Sequence, residues 1–566
     1  MSVALKLQTR IQAALAEAVQ QAAAHRGWTV DQVPTVVLEV PREKAHGDLA
    51  TNLAMQLARD AKLPPRSVAE EIIRHLDTAG TFIDAAEVAG PGFINLRLGN
   101  DWLYEVLRDI ESQGADYGHS DIGGGLRVML EFVSANPVGP MNVVNARAAA
   151  VGDTLANIMQ AAGYEVGREY YVNDAGRQAN LFGLSLLARY KELAGVATEF
   201  PEDGYPAPYV TELAEVMRQE VPDLLQKPPE EQEAFCKKWG TDRMVNLQKA
   251  DLAAFGVEFD VWFRERDLHG ARKLQEVIDF LESKGLLYEL DGAIWFSSTQ
   301  FGDDKDRVVV KSDGVPTYIT ADMAYHWDKY QRGFDHLIDI WGPDHHGYIG
   351  RMHAAIQALG YDAGSFEVVI LQLVNLLRRG EKVRMSKRAG EFVSMTELLE
   401  EVGKDAARYF FLMRAPDSHL DFDLALAAEQ SQENPVYYVQ YAHARICSIL
   451  RQAEESSIQC PHVGDASLHL LQTEQELDLM KKLAQLPEEI ILAAERRGPH
   501  HIARYSHELA SCFHSFYTHC RVLGEDEALQ GARLVLLQST RRVLQVALGL
   551  LGVSAPEKMY NREVCC

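Results

Sequence analysis

Two stretches of this chain hold residue types, at spacings, that suit a phosphate-bearing ligand. Residues 131–147 read EFVSANPVGPMNVVNAR: the apolar run VMLEFV breaks at the turn Ser134-Ala135-Asn136-Pro137, then re-enters an Ala-rich segment with helical spacing. A strand that hands over to a helix in this way leaves backbone N–H groups pointing outward, where an anion can sit. Far downstream, residues 383–388 read VRMSKR, a short basic loop whose Arg384, Lys387 and Arg388 can close over phosphates from the opposite side. Two phosphate-facing elements far apart in sequence suggest one nucleotide site.

Other residues pose narrower questions. Asn136-Pro137 is also what a plain helix-starting turn looks like. Glu131 is harder to dismiss, because a carboxylate inside an apolar strand needs a partner or a ligand. In PTYITADMAYH, Tyr318 and Asp322 stand four apart and share a face if the segment is helical. The run WGPDHHGYIGRMH follows the apolar strand HLIDI and opens another helix, placing Asp344, His345 and His346 together, with His353 further along the same face. Zinc catalysis usually shows a tighter set such as HExxH with a third ligand, so no metal is expected here. Cys512, His514, His519 and Cys520 read as helix packing.

Three parts of the chain must position these residues. Residues 1–115 form a small mixed α+β unit, with strands expected at TVVLEV and GFINLRL; the Gly-rich stretch YGHSDIGGGLR, 117–127, is the expected linker. Residues 116–415 alternate short apolar strands with helices, as in LRVMLEFV, EVGREYYV, FDHLIDIWG and FEVVILQLV, the pattern of a Rossmann-like, doubly wound parallel sheet. A Pro- and Glu-rich stretch interrupts that alternation, and an insertion is expected over about 195–300. From 416 to 566 helical spacing takes over, with Ile502, Tyr505, Leu509, Phe513, Phe516 and Cys520 forming the buried stripe of an all-α bundle.

Composition agrees with a large multidomain enzyme: 566 residues, 47% hydrophobic, enough for several cores. The N-terminus reads as an amphipathic helix rather than a signal, and the longest apolar stretches fall short of the roughly 20 residues a membrane span needs, so no membrane is expected. Seven cysteines without a CxxC pair argue against a disulfide framework and for a reducing, cytoplasmic setting. The net charge of −25 speaks against a nucleic-acid partner. It is a poor veto where basic residues cluster, as at Arg378 to Arg388, at Arg496, Arg497 and Arg504, and at Arg541-Arg542.

On these motifs the chain resembles the class I aminoacyl-tRNA synthetases. It resembles arginyl-tRNA synthetases in particular on EFVSANP, NDAGRQ (173–178), NPVYYVQYAHAR (434–445) and APEKMY (555–560). The resemblance covers nearly the whole chain. It implies a ligase that activates L-arginine with ATP to arginyl-adenylate and passes it to the terminal adenosine of tRNA(Arg), in the presence of Mg²⁺ and with no prosthetic group. It makes 1–115 a tRNA-contacting domain, 116–415 catalytic and 416–566 anticodon-binding, in a cytoplasmic monomer. It implies that Glu131, Ser134, Asn136, Tyr318 and Asp322 hold arginine. It gives ATP to Pro137, Gly139, Asn142, Asn145, His345, Arg384, Met385, Ser386 and Lys387, with Lys387, Asn142 and Asn145 in the catalytic roles. One departure stands at the centre: the family's His-Ile-Gly-His is here Asn142-Val143-Val144-Asn145. Asn142 can donate through its amide but carries no charge, and Val144 replaces the glycine that lets adenine approach the backbone. A second function therefore stays open, a synthetase paralogue that binds tRNA or arginine without charging.

Overall fold

The computed structural model describes residues 2–559 apart from 30, 31, 42, 271 and 384–392. The N-terminal unit is α+β. Helix Val3–Arg26, with apolar positions Leu7, Ile11, Leu15, Ala18 and Val19 along one buried face, packs on helix Pro65–His75, which in turn packs on Leu53–Ala61 and on a small antiparallel sheet. In that sheet Phe93–Leu98 lies between Leu49–Thr51 and Ile83–Ala89. The expected strand TVVLEV does not form, and only Glu39 makes an isolated bridge, to Ala50. Val36 is buried and Leu38 partly so, but the Val36 carbonyl accepts from the Gln12 side chain, and the backbone pairs only at Glu39.

The central unit is a five-stranded parallel sheet of β1 (Arg127–Glu131), β2 (Glu165–Val172), β3 (Val261–Arg264), β4 (His336–Trp341) and β5 (Phe366–Ile370), in the order β5-β4-β1-β2-β3. All four pairings are parallel, as expected for a doubly wound α/β fold. The order reverses between β1 and β4, so a crevice opens at their carboxyl ends. Two helices frame it: α1 (Val143–Ala161), buried along most of its length, and α2 (Tyr318–Gln331). Helix α1 can lie this close to the sheet because position 152 is glycine. A Cβ there would stand 2.2 Å from the Phe132 ring.

The stretch 195–300 is not wholly outside the sheet. Helices Pro208–Glu220 and Pro229–Ala254 leave it, the chain returns as edge strand β3, and a separate antiparallel sheet of Leu287–Leu290, Ala293–Phe296 and Arg307–Val310 follows. Beyond β5, strand Val374–Arg378 pairs with Glu381–Lys382 and with Leu420–Asp423.

The C-terminal unit is helical, with Pro435–Glu455, Glu474–Ala484, Leu486–Glu495, His500–His519 and Glu527–Leu550. Ile502, Tyr505, Leu509, Phe513, Phe516 and Cys520 are all buried, as their spacing implies. The units are tied by buried polar groups. The Tyr117 hydroxyl donates to the Leu483 carbonyl at 3.1 Å. Arg408, fully buried, donates to Asp153 on α1 at 2.6 Å, to the Leu551 carbonyl at 2.9 Å and to the Phe255 carbonyl at 3.4 Å.

Candidate active site

β1 delivers Glu131 to the crevice, 8% exposed, and directly opposite it on β4 stands Asp339, 1% exposed. Two carboxylates side by side on adjacent strands need a cation. α2 supplies it from below: the fully buried Lys329 ammonium lies 2.6 Å from Glu131 Oε2 and 3.1 Å from Asp339 Oδ1. The same helix presents His326, whose ring nitrogens face Asp339 Oδ2 at 2.9 Å and the Asp322 carbonyl at 2.8 Å. Burial works against the charged form of Asp339, but Lys329 and His326 hold its carboxyl down at about 2. Glu131 is pushed above the usual carboxylate range by burial, with Lys329 pulling the other way.

After Glu131 the backbone is strained. Val133 and Ser134 adopt φ of 70° and 39°, a region that L side chains rarely occupy and a β-branched one least of all. Local bonds hold it: the Ser134 hydroxyl donates to Glu131 Oε1 at 2.9 Å and accepts from the Tyr171 N–H at 3.1 Å. The result is a cavity of about 640 Å³ at the carboxyl ends of β1 and β4. Glu131, Ser134, Asp322 and Tyr318 line it with Asp339, His345, Tyr348 and Arg351. Tyr318 begins α2 and is 69% exposed, at the mouth. Asp322, one turn on, accepts a hydrogen bond from the Tyr348 hydroxyl, and burial pushes its carboxyl up. Among the described residues no Lys or Arg forms an ion pair with Asp322, though Arg351 on the same wall and His326 act on it from a distance, so its carboxylate can still pair with a cationic ligand.

Asn136, Pro137, Gly139, Asn142 and Asn145 lie outside the cavity lining, the first four on the loop from β1 to α1 and Asn145 in the first turn of α1. Asn136 is exposed and donates to Gln178 Oε1 at 2.9 Å; Gln248 steadies the loop, donating to the Asn136 and Gly139 carbonyls at 3.2 and 3.4 Å. Asn142 and Asn145 make a reciprocal cap for α1: Asn142 Oδ1 accepts from the N–H groups of Val144 and Asn145, and Asn145 Oδ1 accepts from the Asn142 N–H. Both amide NH₂ groups lack a partner among the described residues and can donate to a phosphate at the helix N-terminus. Arg384, Met385, Ser386, Lys387 and Arg388 lie outside the described residues. The chain just beyond them is placed, however: Ser394 bridges to Asn142, and the Met395 N–H donates to the Met141 carbonyl at 2.9 Å. The segment Ser394–Met395 therefore meets the start of α1.

Lys329, Asp339, His326 and Tyr348 escaped the sequence reading. Asp339 carries the same signal as Glu131, an acid inside an apolar strand, and Lys329 stands seven after Asp322 on one face of a helix. Neither Asp344, His345 and His346 nor Cys512, His514 and Cys520 bring ligand atoms together. Among the described residues that convergence occurs only at His25, Glu71 and His75, where Arg26 and Arg74 already pair with Glu71.

A parallel sheet with its crevice between β1 and β4, beside a helix N-terminus that residues 394 and 395 touch, is the framework of a class I aminoacyl-tRNA synthetase catalytic domain. The family model described as tRNA synthetases class I (R), catalytic domain, matches residues 109–417. The arginyl tRNA synthetase N-terminal domain matches 6–98 and the DALR anticodon binding domain matches 439–559. The chain belongs to the arginyl-tRNA synthetase family. It is 51% identical over 559 residues to an arginine–tRNA ligase of Symbiobacterium thermophilum, covering 99% of this chain and all of that one. It is 48% identical over 560 residues to one of Moorella thermoacetica, again covering 99% of this chain and all of the other. The arginyl-tRNA synthetase structure from Thermus thermophilus superposes with a TM-score of 0.73 at 25% identity, over 97% of this chain and all of that one.

Proposed function

We propose that the chain is an arginine–tRNA ligase, taking arginine and ATP to arginyl-adenylate and then the arginyl group to the terminal adenosine of tRNA(Arg). The observation that carries this reading is the acidic cavity, with Glu131 and Asp322 on its wall, opening beside a helix N-terminus that the segment after the basic run touches.

In the reaction the arginine carboxylate attacks the α-phosphorus of ATP and pyrophosphate departs, so catalysis is chiefly positioning plus donors aimed at the departing charge. Asp322 and Tyr318 take the guanidinium, whose planar fork of donors matches a carboxylate. Glu131, Ser134 and Asn136 fix the rest of the amino acid. The α1 N-terminus, with the Asn142 and Asn145 amides and the loop from Pro137 to Gly139, receives the phosphates of ATP, supplied as its Mg²⁺ complex. His345 borders the nucleotide. From the far side Arg384 and Lys387, with Met385 and Ser386 between them, hold the pyrophosphate. Residues 1–115 contact tRNA, 116–415 carry the chemistry and 416–566 read the anticodon; a monomer in the cytoplasm completes the proposal.

A charging-deficient paralogue has no support in this site. Its motive was the Asn142-Val143-Val144-Asn145 signature, and those two asparagines cap the helix through their oxygens, with amide donors that have no partner among the described residues. The test is charging of total tRNA with labelled arginine and Mg-ATP, with pyrophosphate exchange followed with and without tRNA. Arginine incorporation is expected; tRNA binding with neither incorporation nor exchange would refute the assignment.

A further inference from the structure

We propose that Lys329 is a positioning residue for the amino-acid substrate, holding the Glu131 carboxylate ionised and in place at the end of β1. This rests on the ligase reading above. Lys329 is fully buried and does not line the cavity, so it cannot touch arginine; whatever it does to the substrate passes through its partners. The charged and titratable groups that face its ammonium are Glu131 from β1 at 2.6 Å, Asp339 from β4 at 3.1 Å, Glu169 from β2, and the Tyr325 ring of its own helix at 4.2 Å; His326 joins the cluster through Asp339.

Within that group Glu131 is singled out. Its Oε2 is given to Lys329, its Oε1 to the Ser134 hydroxyl, and both it and Ser134 line the cavity. The Lys329 charge divides between two carboxylates, so the pair keeps one negative charge for a cationic substrate. Burial already pushes the Glu131 carboxyl up, Asp339 adds to that push, and Lys329 is the main opposing influence. Without the ammonium, Glu131 takes up a proton at higher pH, and its acid form offers a cation only a dipole.

The experiment is steady-state arginine charging from about pH 5.5 to about pH 8.5 for the wild type and Lys329→Met. In the variant the acid-side rise of the arginine KM moves to higher pH. At pH near 6.5 KM is raised at least about tenfold, and it falls by up to about tenfold per pH unit towards the wild-type value. The kcat at saturating arginine stays within about threefold. A KM raised by one factor at every pH, or left unchanged, overturns the proposal. Should Lys329→Met fail to fold, Lys329→Met/Glu131→Gln, which removes both charges together, is compared with Glu131→Gln. The two are expected to agree within about twofold in arginine KM, with no acid-side rise in either; a clear further loss in the double variant overturns the proposal. A wild type that charges no arginine would instead sink the ligase reading, and the same pH series, run as arginine binding by calorimetry, still decides the role of Lys329.

Discussion

Replacing Asp322 with Asn should make the protein less active and more stable. Asp322 lines the cavity, accepts from the Tyr348 hydroxyl and has no ion-pair partner among the described residues. Its carboxyl is pushed up, by burial first, so the folded protein disfavours the ionised form. A folded-state pKa above the unfolded one means that stability is lost as pH rises through the ordinary carboxylate range and stays lower at pH 7. Asn has the same shape, still accepts from Tyr348 and carries no charge to desolvate. Asp322→Asn should therefore melt higher than wild type at neutral pH, with the gap closing as pH falls below the ordinary aspartate value of 3.8. For the substrate the sign reverses. Losing one partner of a desolvated, hydrogen-bonded charge pair costs about 2–4 kcal/mol, or roughly 30- to 1,000-fold in kcat/KM for arginine. Discrimination against the neutral isostere citrulline should shrink in step. Charging kinetics and a thermal melt on one preparation decide the matter. Activity and melting temperature falling together would mean that Asp322 supports the fold, and undiminished kcat/KM would mean that the guanidinium binds elsewhere.

Asn142→Asp keeps a good helix cap but removes the amide donor and sets a negative charge where phosphate is to sit; pyrophosphate exchange should fall about 100-fold with the melting temperature unchanged. If stability falls as well, the residue acts mainly as a cap. Lys387→Ala should lower kcat by at least about 100-fold with little change in arginine KM, since its charge is directed at departing pyrophosphate; normal charging would refute its role. In the N-terminal unit, the Arg26 guanidinium holds the Glu71 carboxyl down at about 2, against an ordinary 4.5. That stabilisation is present above pH 4.5 and is lost as pH falls towards 2. Glu71→Gln should thus lower the melting temperature at pH 7 and converge with wild type in acid; a constant difference would point to packing instead.

Part of the cavity wall was legible because its residues break local rules. Glu131 is an acid in an apolar strand, and the Ser134-to-Pro137 turn interrupts a strand that would otherwise continue. Asp339 breaks the same rule in HLIDI, an acid within an apolar strand. Lys329 was illegible for a different reason: a lysine on a helix ordinarily reads as solvated, and its burial is decided by two carboxylates on strands remote in sequence. In the fold, β1, β2, β4 and β5 announced themselves as apolar runs, whereas β3 is four residues of an edge strand, only half-buried and hidden between helices. TVVLEV failed in the opposite sense. Its β-branched composition suits a strand, and Val36 and Leu38 do pack on the core, but a strand also needs a partner along its backbone, and only Glu39 finds one.

Arg408 bears on modularity. Its guanidinium is shared between α1 and the carbonyl that ends the last long helix, and a Cβ at Gly552 would collide with it at 2.3 Å. A fragment that stops after the catalytic sheet would strand this cation against Asp153 with one side open. The helical bundle is thus part of the casing of the catalytic core, and a minimal enzyme made by trimming it away would need a new lid over that charge before it could be expected to stay folded.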